Sequence, residues 1–211
     1  MSARLIVIGG GEHGRVVLDA ALSRPDLWEI AAYVDPLPQP ETERRFGIPR
    51  LASEDHALAP PWSDALFVLG IGDLAMRRRA ASRLGSRERL GTIVHSRAWV
   101  SPSASVGAGT VVMANATVNT GARIGCHVIV NTGAVVEHDV SLGDFAHVGP
   151  RVAIGGGASV GGGAQLGLGC AIRDHIVVGG ESRVGMGAVV VRDVPEGAIV
   201  AGTPARPLTR R

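Results

Sequence analysis

Aliphatic residues recur at every sixth position from Val100 to Val190 without a slip. The sixteen are Val100, Val106, Val112, Val118, Ile124, Val130, Val136, Leu142, Val148, Ile154, Val160, Leu166, Ile172, Val178, Val184 and Val190. Four places after each stands a mostly small residue, as at Ala104, Ala116, Ala122, Ala134 and Cys170. A period of six fits neither the 3.6 of an amphipathic helix nor a heptad. It agrees with the strand period of two only if every third alternation is singled out, which is the pattern of a hexapeptide β-helix. Three hexads make a coil of about 18 residues, so the run winds about five coils at ~4.8 Å each, a prism roughly 25 Å long. The large residue points inward and the small one lets the corner close. Glycines directly after the aliphatic residue, such as Gly107, Gly125 and Gly143, are expected to supply the corner conformations.

Before the repeat the pattern changes character. Leu5–Ile8 reads as a buried strand, residues 9–14 as a glycine turn, and residues 15–22 as a helix with Val16, Val17, Ala20 and Ala21 on its apolar side. A strand over 30–34 ends at Asp35-Pro36, and the proline-rich, charged stretch 37–49 reads as a loop. A short helix follows Ser53, a third strand covers 65–69, and a last helix covers 74–84 before Gly85. Strands alternating with helices predict a small parallel sheet. The expected division is therefore an α/β unit over 1–91, a β-helix over 92–200, and a tail or cap over 201–211.

Composition adjusts this picture little. Thirty glycines and only seven aromatic residues suit a narrow solenoid. The net charge of +2 is too small to argue for nucleic acid or an anionic membrane. The Arg77-Arg78-Arg79 run reads as a solvated helix face. Cys126 and Cys170 form no paired framework: Cys170 falls on a small inward position as a packed thiol, and Cys126 on a partly exposed one. The N-terminus has no signal-peptide pattern and no segment is long enough to span a bilayer, so the expected location is the cytoplasm.

Two places carry candidate chemistry. Gly9, Gly11 and Gly14 form GxGxxG between a strand and a helix, with Asp35 ending the next strand, the context of a dinucleotide site. Backbone N–H groups at a helix start favour an anion. Only half of a full dinucleotide fold is present, so three readings stay open: a nucleotide sugar or related phosphate ligand, an NAD-like ligand, or merely a tight turn. His13 inside the turn has no purely structural reason to be there. The second place is Glu137-His138-Asp139, just after the inward Val136. A carboxylate bonded to an imidazole fixes its tautomer and raises its basicity, as a general base requires; which of Glu137 and Asp139 is the partner stays open. His147 falls half a coil further, on another side of the prism, and meets His138 only if prisms associate side by side. His127 and His175 are weaker candidates. These four histidines could instead form a ligand pool for zinc between prisms, but the glycine-turn unit would then have no role.

Taken together, the GGGEHGRV turn, Tyr33-Val34-Asp35, Gly70-Ile71-Gly72-Asp73, the hexads, the block 131–139, Phe145-Ala146-His147-Val148 and Gly202-Thr203-Pro204-Ala205-Arg206 resemble the PglD/NeuD family of bacterial sugar acetyltransferases. The resemblance implies a small Rossmann-like α/β domain followed by a left-handed parallel β-helix. It implies an acetyl-CoA-dependent N-acetyltransferase of a nucleotide-linked amino sugar, of the UDP- or GDP-4-amino-4,6-dideoxy type, without metal or covalent intermediate. By this likeness His138 is the general base and Asp139 its acid partner. Gly11, Glu12, His13, Asp35, Pro36 and Gly70 bind the nucleotide sugar; His147, Leu168 and Met186 contact acetyl-CoA. The family is trimeric, with sites between subunits. Glu12 and Pro36 depart from the residues that relatives often carry there. The competing expectations are O-acetylation of sialic acid or another sugar hydroxyl, and a non-catalytic sugar-nucleotide scaffold.

Overall fold

The computed structural model describes residues 2–85 and 89–208. Met1, residues 86–88 of the expected α/β unit and residues 209–211 of the expected tail lie outside them. Contacts divide the chain into one unit up to Ser96 and another from Arg97.

In the first unit β1 (Ala3–Ile8), β2 (Trp28–Val34), β3 (Arg50–Leu51) and β4 (Leu66–Leu69) form one sheet in the order β3-β2-β1-β4, and every pairing is parallel. The order reverses at β1, which places a crevice beyond the carboxyl ends of β1 and β4. The helices are α1 (Glu12–Leu22), α2 (Pro40–Phe46), α3 (Glu54–Leu58) and α4 (Leu74–Leu84). Ile6, Ile8, Phe67 and Leu69 of the sheet share a core with Ala57, Ala80 and Leu84.

Four expectations need correction here. First, α1 begins at Glu12, not at residue 15, because Gly11 serves as its N-cap. Val16 is 42% exposed and Leu18 is buried in its stead. Second, the stretch 37–49 is not all loop. Pro40 at the first helical turn, Glu41 and Glu43 near the start, Arg44 and Arg45 near the end, and a left-handed Gly47 cap make a short helix. Third, Arg77 does not belong to a solvated face: it is 1% exposed, while Arg78 and Arg79 are exposed. It sits one turn before the buried Ala80 and two turns before Leu84, on the same side of α4. Fourth, Cys126 is buried, and its N–H donates to Asp144 Oδ1 at 2.7 Å.

From Arg97 onward the hexads form three faces of two-residue parallel strands. Up to Ala171–Ile172 each strand pairs with the one 18 residues on, as Arg123 with Ser141 and Ile124 with Leu142. Every hexad aliphatic residue from Val112 to Val190 is buried; a fully buried Val, Leu or Ile contributes roughly 1.5–3 kcal/mol. From Thr110 onward the small second series is buried as well, Ser182 included. Cys170 is sealed in this row, and burial pushes its thiol up to about 12. At the end Ile199–Ala201 continues one face, and Arg206–Pro207 folds back antiparallel on it.

The corners also work differently from expectation. The left-handed conformation falls three residues after each aliphatic residue from Val106 to Val184, not directly after it. Seven such corners hold side chains: Asn115, His127, Asp139, Phe145, Arg151, His175 and Glu181. The glycines one place after the aliphatic residue answer a different need. A Cβ on Gly143 would meet the backbone of Gly161 and Gly162 in the next coil within 3 Å. They permit close approach of coils rather than an unusual φ.

Candidate active site and nucleotide cleft

A cleft of about 700 Å³ opens in the first unit. All six residues expected to bind a nucleotide sugar, Gly11, Glu12, His13, Asp35, Pro36 and Gly70, line it. Its floor is made by glycines in contact. A Cβ on Gly14 would strike the Gly9 carbonyl, and one on Gly70 would come within 2.8 Å of that same oxygen and 2.7 Å of the Gly14 Cα. Side chains at either position would separate the turn after β1 from the turn after β4.

Gly10 is held on three sides. Its N–H donates to Asp35 Oδ2 at 3.0 Å, and its carbonyl accepts from the buried Thr42 hydroxyl at 2.5 Å. The Tyr33 ring occupies the space where its Cβ would be. Tyr33 in turn donates to Glu43 Oε1 at 2.7 Å. Burial and that carboxylate push the Tyr33 phenol up to about 12. The other Asp35 oxygen accepts from Leu37 N–H at 3.1 Å. Asp35 thus fixes both the glycine turn and the loop that begins the opposite wall.

His13 faces the cleft from the first turn of α1. Burial and the Arg77 charge push its imidazole down to about 4, so it is neutral near pH 7 and has one donor and one acceptor nitrogen. Asp73 caps α4 by accepting from Met76 N–H at 2.8 Å. Gln39, Ser53, Glu54, Gly72, Asp73, Met76, Arg79 and Arg83 also line it. Arg83 and Glu54 form an ion pair at 3.5 Å. Both arginines were hidden by an ordinary charge pattern. Thr42 was hidden because α2 read as loop.

In the prism the structure brings together Glu137, His138 and Asp139. His138 Nδ1 lies 2.9 Å from Asp139 Oδ2. A carboxylate only accepts, so Nδ1 carries the hydrogen and Nε2 is left with a lone pair. Glu137 takes another part: its Oε2 accepts from Asn119 Nδ2 at 3.0 Å and lies 3.4 Å from the His138 N–H. Asp139 is therefore the imidazole's partner and Glu137 a support for the backbone beside it.

Two glycines shape this pair. Asp139 occupies a left-handed corner at φ 59°, and its carboxylate rests where a Cβ of Gly121, one coil earlier, would be. The His138 ring rests in the space left by Gly156, one coil later, and Nε2 faces that bare backbone. Both side chains remain accessible, at 56% and 66% exposed.

His147 is half-buried on a different face, in line with Ile129 and Gln165. Leu168 and Met186 stand outward on successive coils, 56% and 79% exposed. His127 is a buried corner residue stacked on Phe145 at 4.8 Å, and His175 lies over Gly157. Among the described residues no three His, Cys, Asp or Glu side chains gather as a metal site.

Comparison with known proteins gives concordant results. Residues 4–84 match the family described as PglD N-terminal domain. A perosamine N-acetyltransferase from Caulobacter crescentus, a histidine-to-asparagine variant crystallised with CoA and GDP-perosamine, is 33% identical with a TM-score of 0.87. That alignment covers 99% of this chain and 98% of the other. The acetyltransferase domain of PglB from Neisseria gonorrhoeae is 35% identical with a TM-score of 0.88, over 98% of this chain and 100% of that one. The UDP-N-acetylbacillosamine N-acetyltransferase of Bacillus subtilis is 38% identical over 104 residues, which span 48% of this chain and only 47% of that protein. The α/β unit followed by a left-handed parallel β-helix is the architecture of these relatives. With a third of its residues identical to theirs over nearly its whole length, the chain belongs to the PglD-type family of hexapeptide-repeat sugar acetyltransferases.

Proposed function

We propose that this protein transfers the acetyl group of acetyl-CoA to the amine of a nucleotide-linked amino sugar of the UDP- or GDP-4-amino-4,6-dideoxy type. The observation that carries the reading is the His138–Asp139 pair, with Nδ1 bonded to the carboxylate and Nε2 open beside Gly156. The relatives add the substrates: GDP-perosamine with CoA in the Caulobacter enzyme, and acetyl coenzyme A in the Neisseria domain.

In this mechanism the glycine turn, Glu12, neutral His13, Asp35-Pro36 and Gly70 hold the nucleotide sugar. The neutral sugar amine attacks the thioester carbonyl, and His138 Nε2 takes the proton that the nitrogen sheds. Asp139 keeps the ring in the required tautomer and stabilises the imidazolium. A backbone N–H holds the tetrahedral oxyanion. The intermediate collapses to the amide with loss of CoA thiolate, which needs little help from an acid. His147, Leu168 and Met186 contact acetyl-CoA in a homotrimer whose prisms lie side by side, so that one subunit's His147 face serves another's His138.

The deciding assay measures acetyl-CoA consumption with UDP- and GDP-linked 4-amino sugars against free sialic acid. Turnover with a nucleotide amino sugar supports the proposal. Turnover with sialic acid alone would replace it by O-acetylation. Failure to bind acetyl-CoA in calorimetry would leave the scaffold reading.

A further inference from the structure

Arg77 is the one buried arginine among the described residues, and it lies beneath the cleft rather than in it. Its Nη1 donates to two successive carbonyls, Ile71 O at 3.2 Å and Gly72 O at 2.9 Å. The peptide bonds that follow these carbonyls are trans, since cis bonds occur only at Pro60-Pro61 and Thr203-Pro204 among the described residues. In a planar trans peptide the N–H points opposite to the C=O. Drawing both carbonyls inward therefore turns the N–H groups of Gly72 and Asp73 outward, on the side where these residues line the cleft.

We infer that Arg77 is a positioning residue of the nucleotide-sugar cleft, fixing the orientation of the two peptide groups between β4 and α4 from inside the fold. The inference rests on the nucleotide-sugar reading proposed above. Three further observations join it. The turn that Arg77 holds is the one whose Gly70 meets Gly9 and Gly14, so the guanidinium braces both turns through one contact. His13 lies against the same turn, 3.8 Å from where a Gly72 Cβ would be. Arg77 also contributes to the depressed basicity of that ring. The guanidinium itself is lowered to about 10 by burial, and it stays charged at neutral pH. Both bonds come from Nη1, whose two hydrogens are held in the guanidinium plane, whereas an ammonium's three donors rotate freely on a flexible stem.

The test uses the full chain with Arg77→Met and Arg77→Lys. Arg77→Met should raise the KM for the nucleotide amino sugar by roughly 10- to 100-fold, the worth of a charge-assisted bond, with the acetyl-CoA KM unchanged. Arg77→Lys, which keeps the charge but not the planar donor group, should recover part of that loss and also serves if the Met variant folds poorly. A second readout is histidine-ring NMR: His13 should titrate near 4 in the native chain and Arg77→Lys, and higher in Arg77→Met. Native KM values in both variants, or a fall in kcat with both KM values unmoved, would overturn the inference. So would an unmoved His13 titration in Arg77→Met. If the native chain binds neither UDP nor GDP in calorimetry, the nucleotide-sugar reading fails, and the His13 titration still judges the role of Arg77 in the turn.

Discussion

In the β-helix a side chain's location is set by repetition. His138 and Asp139 stand where Thr120 and Gly121 stand one coil earlier, and where Gly156 and Gly157 stand one coil later. Their neighbours above and below are thus other copies of the same corner, thinned to glycine where the ring and the carboxylate need room. In the N-terminal unit nothing repeats. Gly10 is fixed by Asp35 from the end of β2, by Thr42 from α2 and by the ring of Tyr33. The prism builds an imidazole–carboxylate pair from adjacent residues on one corner. The cleft collects residues far apart in sequence at the ends of strands. Under the proposed function, chemistry in the first is local and recognition in the second is distributed.

This contrast can be broken most directly at the reactive pair. His138→Ala should reduce turnover by roughly 10²–10⁴-fold, the usual worth of general-base catalysis. Circular dichroism and thermal midpoint should not change, because the ring supports no coil. Turnover close to native in a correctly folded variant would remove the base from His138.

The next effect belongs to the distributed site. His13 is depressed from 6.5 to about 4 in the folded chain. Between those values the unfolded chain binds the extra proton and the folded chain does not. The stabilisation is therefore complete above pH 6.5 and is lost as pH falls toward 4, by up to about 3 kcal/mol. Urea denaturation at neutral and acid pH, comparing native chain with His13→Gln, should isolate that slope. Equal slopes would mean that the ring is not held neutral.

Smaller effects separate a corner's backbone from its neighbours. Gly121→Ala places a Cβ in a left-handed corner at φ 69° and against the Asp139 carboxylate. It should cost about 1–2 kcal/mol of stability and lower turnover about tenfold as the Nδ1 bond loosens, ~1.4 kcal/mol in the barrier. Gly197→Ala adopts the same kind of turn at φ 67° with nothing within 4 Å. It should cost only about 1 kcal/mol and leave turnover unchanged. If both variants retain full turnover, Gly121 has no bearing on the pair.

Much of the prism was legible because six-residue spacing is a property of the sequence itself. The inward row, the small second row, and the separation of His138 from His147 all follow from counting. What counting missed was three-dimensional detail within the corner. The left-handed residue and the close-approach glycine are two positions apart, and both carry glycine often enough to be confused. The adjacent dyad was visible, yet its true partner needed the geometry that sends Glu137 to Asn119 and Asp139 to the ring. In the other unit the glycine turn announced itself through GxGxxG. Thr42 and Arg77 did not, since a single hydroxyl in a charged stretch and one arginine of three carry no periodic mark. Their meaning comes from carbonyls supplied elsewhere, at Gly10 and at Ile71 and Gly72.

The pairing of each strand with the one 18 residues on also constrains how such a chain can change length over generations. Gain or loss of a whole coil leaves every downstream residue on its original face, merely raised or lowered by about 4.8 Å. Gain or loss of a single hexad keeps the inward row intact but carries everything after it to the next face. An insertion of that kind between His138 and His147 would leave a foldable prism whose two histidines no longer stood on the pair of faces they now occupy. Selection on the relation between those faces would then read insertions in multiples of a coil, although selection on the fold alone reads them in multiples of six.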